Sequence, residues 1–152
     1  LGASPLIIGI ILRYILDLKL YPPSVKYLSR AKKLDRFLFR ERYPEISGSW
    51  IQEWDISHER KKDQKYTSEA SIYRFGPYVY AEFSHKDIIY SVSGRIQNAH
   101  IIGIWYDKND DWGYLGTFQL MVTDPSILKG RWIGHSKSRP KIRSGQWNWN
   151  RK

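Results

Sequence analysis

The sequence predicts an all-β fold, an eight-stranded antiparallel up-and-down β-barrel that is preceded by N-terminal α-helices. Aromatic residues make up 15% of the 152-residue chain, and their side chains favour the pleated, half-buried surface of a sheet. From residue 47 onward, apolar and polar residues alternate with a period of two, which is typical of strands with one buried face. Turn-forming residues separate these runs at short intervals, which indicates an antiparallel meander.

The first predicted element, residues 1–23, contains an apolar run from Pro5 to Leu20. A complete membrane-spanning helix needs about 20 apolar residues, and charged residues interrupt this run from Arg13 onward. We therefore expect one of two structures. The run is either the end of a membrane span that begins before Leu1, or an apolar helix that packs on the barrel or on a partner.

The second predicted element, residues 24–43, is a basic juxtamembrane amphipathic helix. Ser24 is suited to cap it, and apolar residues recur at helical spacing from Val25 to Arg40. A basic amphipathic helix suits an anionic membrane surface, and basic residues beside a span indicate that the following domain faces the cytoplasm. The alternative is an ordinary solvated helix face.

The third predicted element, residues 44–152, is a β-barrel ligand-binding domain. Its candidate strands are about 47–56, 66–75, 78–85, 88–96, 100–107, 113–122, 127–135 and 141–150. Gly76-Pro77 and Lys86-Asp87 predict tight hairpins between them. Closure of eight strands removes exposed sheet edges, and a barrel of this size holds either packed side chains or one small ligand. A two-sheet sandwich is the alternative.

The charge of the chain indicates anionic partners. The formal net charge is +10, which points to nucleotides, nucleic acid or an acidic lipid surface. Residues 1–43 carry nine Lys/Arg and three Asp/Glu, so the arm and the barrel can have different partners. The chain has no cysteine, which excludes disulfides, thiolate metal sites and a cysteine nucleophile.

A Gly-x-Trp pattern occurs four times in the predicted strands. The pairs are Gly48 with Trp50, Gly103 with Trp105, Gly130 with Trp132, and Gly145 with Trp147. Residues i and i+2 share one face of a strand, so each glycine is expected to open space for the neighbouring indole to lie flat against the barrel wall. Packing explains this pattern, and the functional alternative is a surface on which a base or another ring stacks.

Aromatic and guanidinium side chains are the candidate ligand-binding groups. We predict stacking on Tyr78, Tyr80, Tyr90 and Trp105, and phosphate contacts from Arg95, Arg131 and Arg143. Arginine presents a planar fork that pairs two phosphate oxygens and also stacks on rings. Both faces of the strand at 78–85 are plausible interiors. Outward-facing, solubilising positions are the alternative for the arginines.

No catalytic or metal-binding pattern emerges. The four histidines are widely spaced, and no HxH or HExxH motif is present. Ser136 and Ser138 lack the glycines of a nucleophile elbow, and phosphate-binding loops of the Walker and Rossmann types are absent. The sequence therefore predicts a binding protein that is not an enzyme and has neither a metal nor a cofactor.

Three segments of the chain carry a resemblance to a known family. They are the run Pro44-Glu-Ile-Ser-Gly-Ser-Trp50, the run Ser93-Gly-Arg-Ile96, and the closing hairpin formed by residues 128–134 and 142–149. Together they resemble the sensor barrel of bacterial two-transmembrane β-barrel effectors from cyclic-oligonucleotide antiphage defence (CBASS). The resemblance covers residues 40–152, and its Gly-x-Trp opening is shared with lipocalin-like barrels in general.

The resemblance implies a membrane-anchored effector in the bacterial inner membrane, with its barrel facing the cytoplasm. Such a barrel binds a cyclic di- or trinucleotide made by a partner nucleotidyltransferase. Binding drives homo-oligomerisation, and the spans then disrupt the membrane; long nucleic acid is not a partner. This sequence departs from the family by showing at most part of one span. Two rivals remain: a lipocalin-like carrier of an apolar small molecule, and a nucleic-acid binder that uses the basic arm.

Overall fold

The computed structural model describes residues 4, 7–10, 22–40, 43–57, 64–136 and 139–152. Two short helices, α1 (Ser24–Leu28) and α2 (Lys32–Phe39), precede eight strands. The strands are β1 (Gly48–Ile56), β2 (Gln64–Phe75), β3 (Tyr78–His85), β4 (Ile88–Gln97), β5 (His100–Asp107), β6 (Leu115–Asp124), β7 (Ile127–Ser136) and β8 (Arg139–Arg151).

The strands form a closed antiparallel barrel, as the sequence predicts. Each strand pairs with the next along the chain, and β8 pairs with β1 to close the sheet. Every predicted strand is present, and its ends lie within two residues of the expected positions. Lys86 and Asp87 have φ values of 48° and 63°, the left-handed conformation that matches a two-residue hairpin to the twist of its strands.

The prediction of one continuous helix from Val25 to Arg40 is wrong. The helix ends at Leu28, and Ala31 has φ −84° and ψ 60°, outside the helical region. The Ser29 hydroxyl donates a hydrogen bond to the Lys26 carbonyl (2.9 Å), a local bond that competes with helix continuation. Ser24 is the first residue of α1 rather than its cap.

Most of the predicted apolar run from Pro5 to Leu20 lies outside the described residues. Residues 7–10 form a helical turn with three exposed isoleucines. Among the helices that the structure describes, none has the length and apolar character needed to cross a membrane.

A buried ion pair fixes α2 to the β2–β3 hairpin. The Arg74 guanidinium donates to both carboxylate oxygens of Asp35, at 2.8 and 3.3 Å, and both side chains are nearly inaccessible to solvent. The same carboxylate accepts a hydrogen bond from the Gly76 amide at 2.6 Å. A charge pair this deeply buried needs such additional hydrogen bonds to offset its desolvation.

The outer face of β2 and β3 is covered by the helical region, which creates a second core outside the barrel. Val25 of α1 and Phe39 of α2 pack there with Phe75 and Tyr80. The Phe39 ring lies edge-on to Phe75, with their centroids 5.5 Å apart. This part of the barrel is therefore buried on both faces of the sheet.

Glu82 of β3 connects this covered wall to the β5–β6 connection. Its carboxylate accepts hydrogen bonds from Lys26 of α1 (3.2 Å), from Lys108 (2.6 Å) and from the Tyr80 hydroxyl (2.7 Å). Burial alone would raise the pKa of Glu82, but these three hydrogen bonds outweigh it and lower the pKa to about 2.

The interior of the barrel is filled at one end. We call this the closed half; it contains the inward residues Trp50, Gln52, Ile72, Ala81, Val92, Ile96, Ile101, Phe118, Leu120, Leu128 and Trp149. Ile46, which precedes β1, is fully buried in the same core and covers this end. The Ile46 carbonyl accepts a hydrogen bond from the Trp50 indole at 2.9 Å.

Candidate functional site

The other end of the barrel, the open half, contains a cavity of about 260 Å³. It lies toward the connections that join β1 to β2, β3 to β4, β5 to β6 and β7 to β8. Its lining residues are Trp54, Ile56, Tyr66, Phe83, His85, Lys86, Ile88, Tyr90, Trp105, Tyr114, Trp132, Gly134, His135, Arg143 and Trp147. Most of them occupy inward positions, because side chains two apart on a strand share a face.

Aromatic rings form most of the cavity wall, and they pack against one another in pairs. Trp54 stacks on Tyr66 (centroids 5.5 Å apart), and Phe83 stacks on Tyr90 (5.1 Å). Trp105 meets Trp132 edge-on at 5.6 Å. Contacts between rings stabilise such pairs beyond simple burial, so the wall offers preformed flat surfaces to a ligand.

The position of Trp105 depends on glycines from two neighbouring strands. Trp105 pairs with Gly116 of β6, which pairs in turn with Gly134 of β7. A Cβ atom at Gly116 would lie 2.5 Å from the Trp105 indole, and one at Gly134 would lie 2.3 Å from it. The indole therefore occupies the space that two side chains would otherwise fill.

The expected role of the glycine in Gly-x-Trp is wrong. A Cβ at Gly103, Gly130 or Gly145 would collide first with the backbone of an adjacent strand, at 1.9–2.0 Å, and not with the tryptophan two residues later. At Gly48 the nearest atoms belong to Arg151. These glycines permit close approach of backbones, whereas the indole of Trp105 is accommodated by Gly116 and Gly134.

Two titratable groups of the cavity wall, Tyr90 and His85, have shifted pKa values. Burial raises the pKa of Tyr90 to about 12, with smaller contributions from Tyr114 and Asp107, so its hydroxyl stays protonated. Burial, and then the charge of Lys86, lowers the pKa of His85, which favours the uncharged imidazole. The Lys86 ammonium lies 5.4 Å from the Tyr66 ring centroid, at the mouth of the cavity.

Two hydrogen bonds fix the indoles that complete the wall. The Trp132 indole donates to the Asp55 carbonyl at 3.0 Å, and the Trp147 indole donates to the Gln52 side-chain oxygen at 2.5 Å. The Gln52 amide in turn donates to the Ser68 hydroxyl at 2.9 Å. Gln52 is fully buried, and its polar atoms are thus satisfied beneath the cavity.

Arg143 is an arginine of β8 whose side chain faces the cavity. Its Nε atom is buried, and that atom has no hydrogen-bond partner among the described residues. Trp105 Nε1 is likewise buried without a partner there, but it lies close to Gly116. Of the residues that the structure describes, no Asp or Glu lines the cavity.

Of the seven side chains predicted to bind a ligand, three are brought together. Tyr90, Trp105 and Arg143 all line the cavity. The rings of Tyr90 and Trp105 are in contact, with centroids 6.1 Å apart. The stacking and anion-binding roles predicted for these three residues stay predictions.

The other four side chains lie on the outer face of the barrel and are not part of the cavity wall, so the structure does not place them beside Tyr90, Trp105 and Arg143. Tyr80 packs with Val25 and Phe39 under the helices, and Tyr78 contacts the same cluster. Arg95 lies 5.6 Å from the Tyr78 ring on the outside, and Arg131 is exposed on β7. Their strand neighbours occupy the inward positions, because successive side chains point to opposite faces.

Sequence reasoning missed most of the cavity wall. The residues not predicted are Trp54, Ile56, Tyr66, Phe83, His85, Lys86, Ile88, Tyr114, Trp132, Gly134, His135 and Trp147. The sequence did contain a relevant pattern. When the eight strands are placed side by side and the inward-facing residues of each are known, these residues lie toward the same end of the barrel. Among the described residues, no group of three or more His, Asp or Glu has the arrangement of a metal site.

Comparisons with known proteins identify the fold alone. No protein-family model and no curated protein matches this sequence. A solved structure of EF1p2_mFAP2b bound to DFHBI is similar, with a TM-score of 0.56 and 11% sequence identity. The match covers 82% of this chain and 99% of the other. Both chains therefore share a closed antiparallel barrel architecture.

Proposed function

We propose that this chain is a non-enzymatic ligand-binding barrel that takes one flat ring system into its open half. The observation that carries the proposal is the aromatic cavity, because paired tryptophan, tyrosine and phenylalanine rings bound this space, whereas buried side chains pack together in the closed half. Stacking of a base on an aromatic side chain contributes about 1–3 kcal/mol. The similar barrel of EF1p2_mFAP2b, which was solved with DFHBI bound, is consistent with this role.

Within this proposal, a cyclic di- or trinucleotide is the ligand that the sequence resemblance favours. The cavity, about 260 Å³, is smaller than the roughly 300–1,000 Å³ of clefts that bury drug-sized ligands. A cyclic oligonucleotide would therefore insert one base and keep its ring of phosphates at the mouth. The chain would act as a sensor domain, held at the inner membrane by its N-terminal arm and assembling with further copies when loaded.

A carrier of an apolar small molecule is the second candidate. The observation that favours it is the wall itself, in which aromatic and aliphatic side chains outnumber charged ones. A carrier of this kind would bind neutral flat molecules as tightly as charged ones.

Calorimetry on the full chain tests ligand binding directly. The titrants are a panel of cyclic di- and trinucleotides and a neutral flat compound such as naphthol. We expect saturable binding of at least one of them. Absence of binding by every titrant at millimolar concentration would remove the proposal.

A matched pair of variants locates the binding. Ile88 lines the mouth of the cavity, whereas the next residue, Ile89, has 38% of its side chain exposed on the outer face. Ile88→Trp should narrow the mouth and lower the affinity for the ligand at least about ten-fold, because the larger side chain would overlap with the bound ligand and displace it from its contacts with the wall. Ile89→Trp adds the same bulk outside and should bind normally. Equal affinities in the two variants would place the ligand elsewhere.

A further inference from the structure

The partly buried side chain of Arg143 makes no hydrogen bond or ion pair in the part of the chain that the structure describes. Its Nε atom is shielded from solvent. A buried donor without an acceptor is unfavourable, and a ligand that supplies the acceptor would remove that cost. Arg143 pairs with Gly134 in the sheet, so its neighbour across the ladder has no side chain that could supply an acceptor.

Arg74, a buried arginine at the other end of the barrel, has a counter-charge that Arg143 lacks among the described residues. Its guanidinium donates to the carboxylate of Asp35 and to the carbonyl of Gly76, although its Nε atom, like that of Arg143, has no described partner. Two carboxylates of strands that line the cavity accept backbone hydrogen bonds: Asp55 from the Gln146 amide, and Asp107 from the Asn109 amide. Among the described residues, Arg143 therefore faces a cavity that supplies no counter-charge.

The charges of the side chains on the cavity wall also favour an anionic ligand. Two cationic side chains, Lys86 and Arg143, are on the wall, and no carboxylate is among the described residues that line it. The hydroxyl of Tyr90 stays protonated, as shown above, and adds a hydrogen-bond donor. A wall of donors and cations without an anionic residue is complementary to a negatively charged group.

We infer that the ligand carries an oxyanion, a phosphate or carboxylate group, which Arg143 binds while the flat part of the ligand lies among the aromatic rings. This inference deepens the function proposed above and rests on it. It fixes the orientation of the ligand, because the ring occupies the interior and the oxyanion remains on the side of Arg143. Arginine suits this role since its planar fork donates two parallel hydrogen bonds to one oxyanion.

A pair of probes that differ in one group tests the inference on the full chain. Naphthyl phosphate and naphthol share the same flat ring system, and the first adds a phosphate. Wild-type protein should bind naphthyl phosphate about ten-fold to a hundred-fold more tightly, the range expected for a hydrogen-bonded charged group. The preference should weaken as salt is added, because salt screens charge pairs that remain near solvent.

Two substitutions assign that preference to Arg143. Arg143→Met keeps the length of the side chain and should abolish the preference for the phosphate, so that naphthyl phosphate and naphthol bind with similar affinities. Arg131→Met is the matched control, because Arg131 is exposed on the outer wall, and it should retain the preference. Circular dichroism melting confirms that each variant is folded. If Arg143→Met does not fold, Arg143→Lys replaces it, and a preference reduced at least about three-fold is the expected result.

The possible results distinguish a failure of the oxyanion inference from a failure of the proposed ring-binding function. Equal binding of the two probes by wild-type protein, or a preference that survives in the tested Arg143 variant, overturns the oxyanion inference and leaves the ring-binding function in place. Failure of both probes and of the nucleotide panel to bind overturns the ring-binding function itself. Loss of the preference in Arg131→Met would move the oxyanion to the outer wall and would equally contradict the inference.

Discussion

Trp105 illustrates how a single side chain of the cavity depends on residues far away in sequence. Its indole lies over Gly116 and Gly134, which come from two other strands. The sequence shows the tryptophan and the glycines, but it does not show the register that brings them together. The prediction therefore assigned the open space to Gly103, two residues before Trp105, where the glycine instead permits the backbones of β4 and β5 to approach.

Gly116→Ala should destabilise the protein and disturb the cavity. The added methyl group would lie 2.1 Å from the Ile133 carbonyl and 2.5 Å from the Trp105 indole, so backbone or ring must move. Overpacking of this kind costs about 1–3 kcal/mol. Urea unfolding measures the loss, and Thr117→Ala, at an exposed position next along the strand, is the control. Equal stability of the two variants would contradict the packing account.

At the scale of elements, the helical region and the sheet are joined by charged side chains as well as apolar ones. Asp35 joins α2 to the β2–β3 hairpin through Arg74, and Glu82 joins α1 to the β5–β6 connection. The sequence predicted a helix here with Val25 and Leu34 on its apolar side. It did not reveal that Asp35 would be buried, since its partner Arg74 is 39 residues away.

Asp35→Asn should cost about 3–5 kcal/mol of unfolding free energy, because it leaves the buried Arg74 charge without its counter-charge. Lys33→Gln, on the exposed side of α2, should change stability by less than about 0.5 kcal/mol. Chemical denaturation of both variants measures the difference. A loss below about 1 kcal/mol for Asp35→Asn would show that the ion pair does not hold α2 in place.

Glu82 gives the protein a pH-dependent contribution to stability. Its pKa is about 2 in the folded protein, below the ordinary value of 4.5. The folded state therefore favours the charged carboxylate, so the contribution is complete above pH 4.5 and disappears as the pH falls toward 2. Glu82→Gln should lower stability at pH 7 by about 1–3 kcal/mol and flatten the loss of stability in that acidic window.

Denaturation curves recorded from neutral to acidic pH test this contribution. The control is Glu53→Gln, since Glu53 pairs with Lys65 at an exposed position where ion pairs contribute about 0–1 kcal/mol. A pH profile of Glu82→Gln that is parallel to that of the wild type across the acidic window would refute the assignment.

At the scale of the whole molecule, the barrel was predictable because its signals are local. Turn residues such as Lys86-Asp87 and the period-two pattern define each strand. An antiparallel meander of eight strands has two exposed edge strands, and pairing the first strand with the last protects both of them. The lining of the cavity was harder to predict. In β3, the helices bury the outer face, which carries Tyr80, while Val79 and Phe83 pack inside the barrel. Both faces of this strand are therefore apolar, and the alternation of apolar and polar residues does not show which face points inward.

The direction of the arginines could not be predicted for a related reason. Arg95, Arg131 and Arg143 lie in strands where apolar and polar residues do not alternate strictly. A shift of one residue in the assumed alternation moves each side chain from one face of the sheet to the other. Arg143 points into the cavity because it pairs with the inward Gly134, a relation that depends on the β7–β8 register. The register is regular from Ile127 to His135, but the sequence alone does not show which residues of the two strands pair.

The seven tryptophans allow a direct test of ligand binding in the open half, because they report on three different regions. Trp54, Trp105, Trp132 and Trp147 line the cavity, Trp50 and Trp149 lie in the closed half, and Trp112 is 90% exposed on the β5–β6 connection. The measurement is an NMR titration of their assigned indole N–H signals with naphthyl phosphate. We predict that the four cavity signals shift together and saturate, while those of Trp50, Trp149 and Trp112 change little. A titration in which Trp112 alone responds, or in which no cavity signal moves, would contradict the proposed binding site.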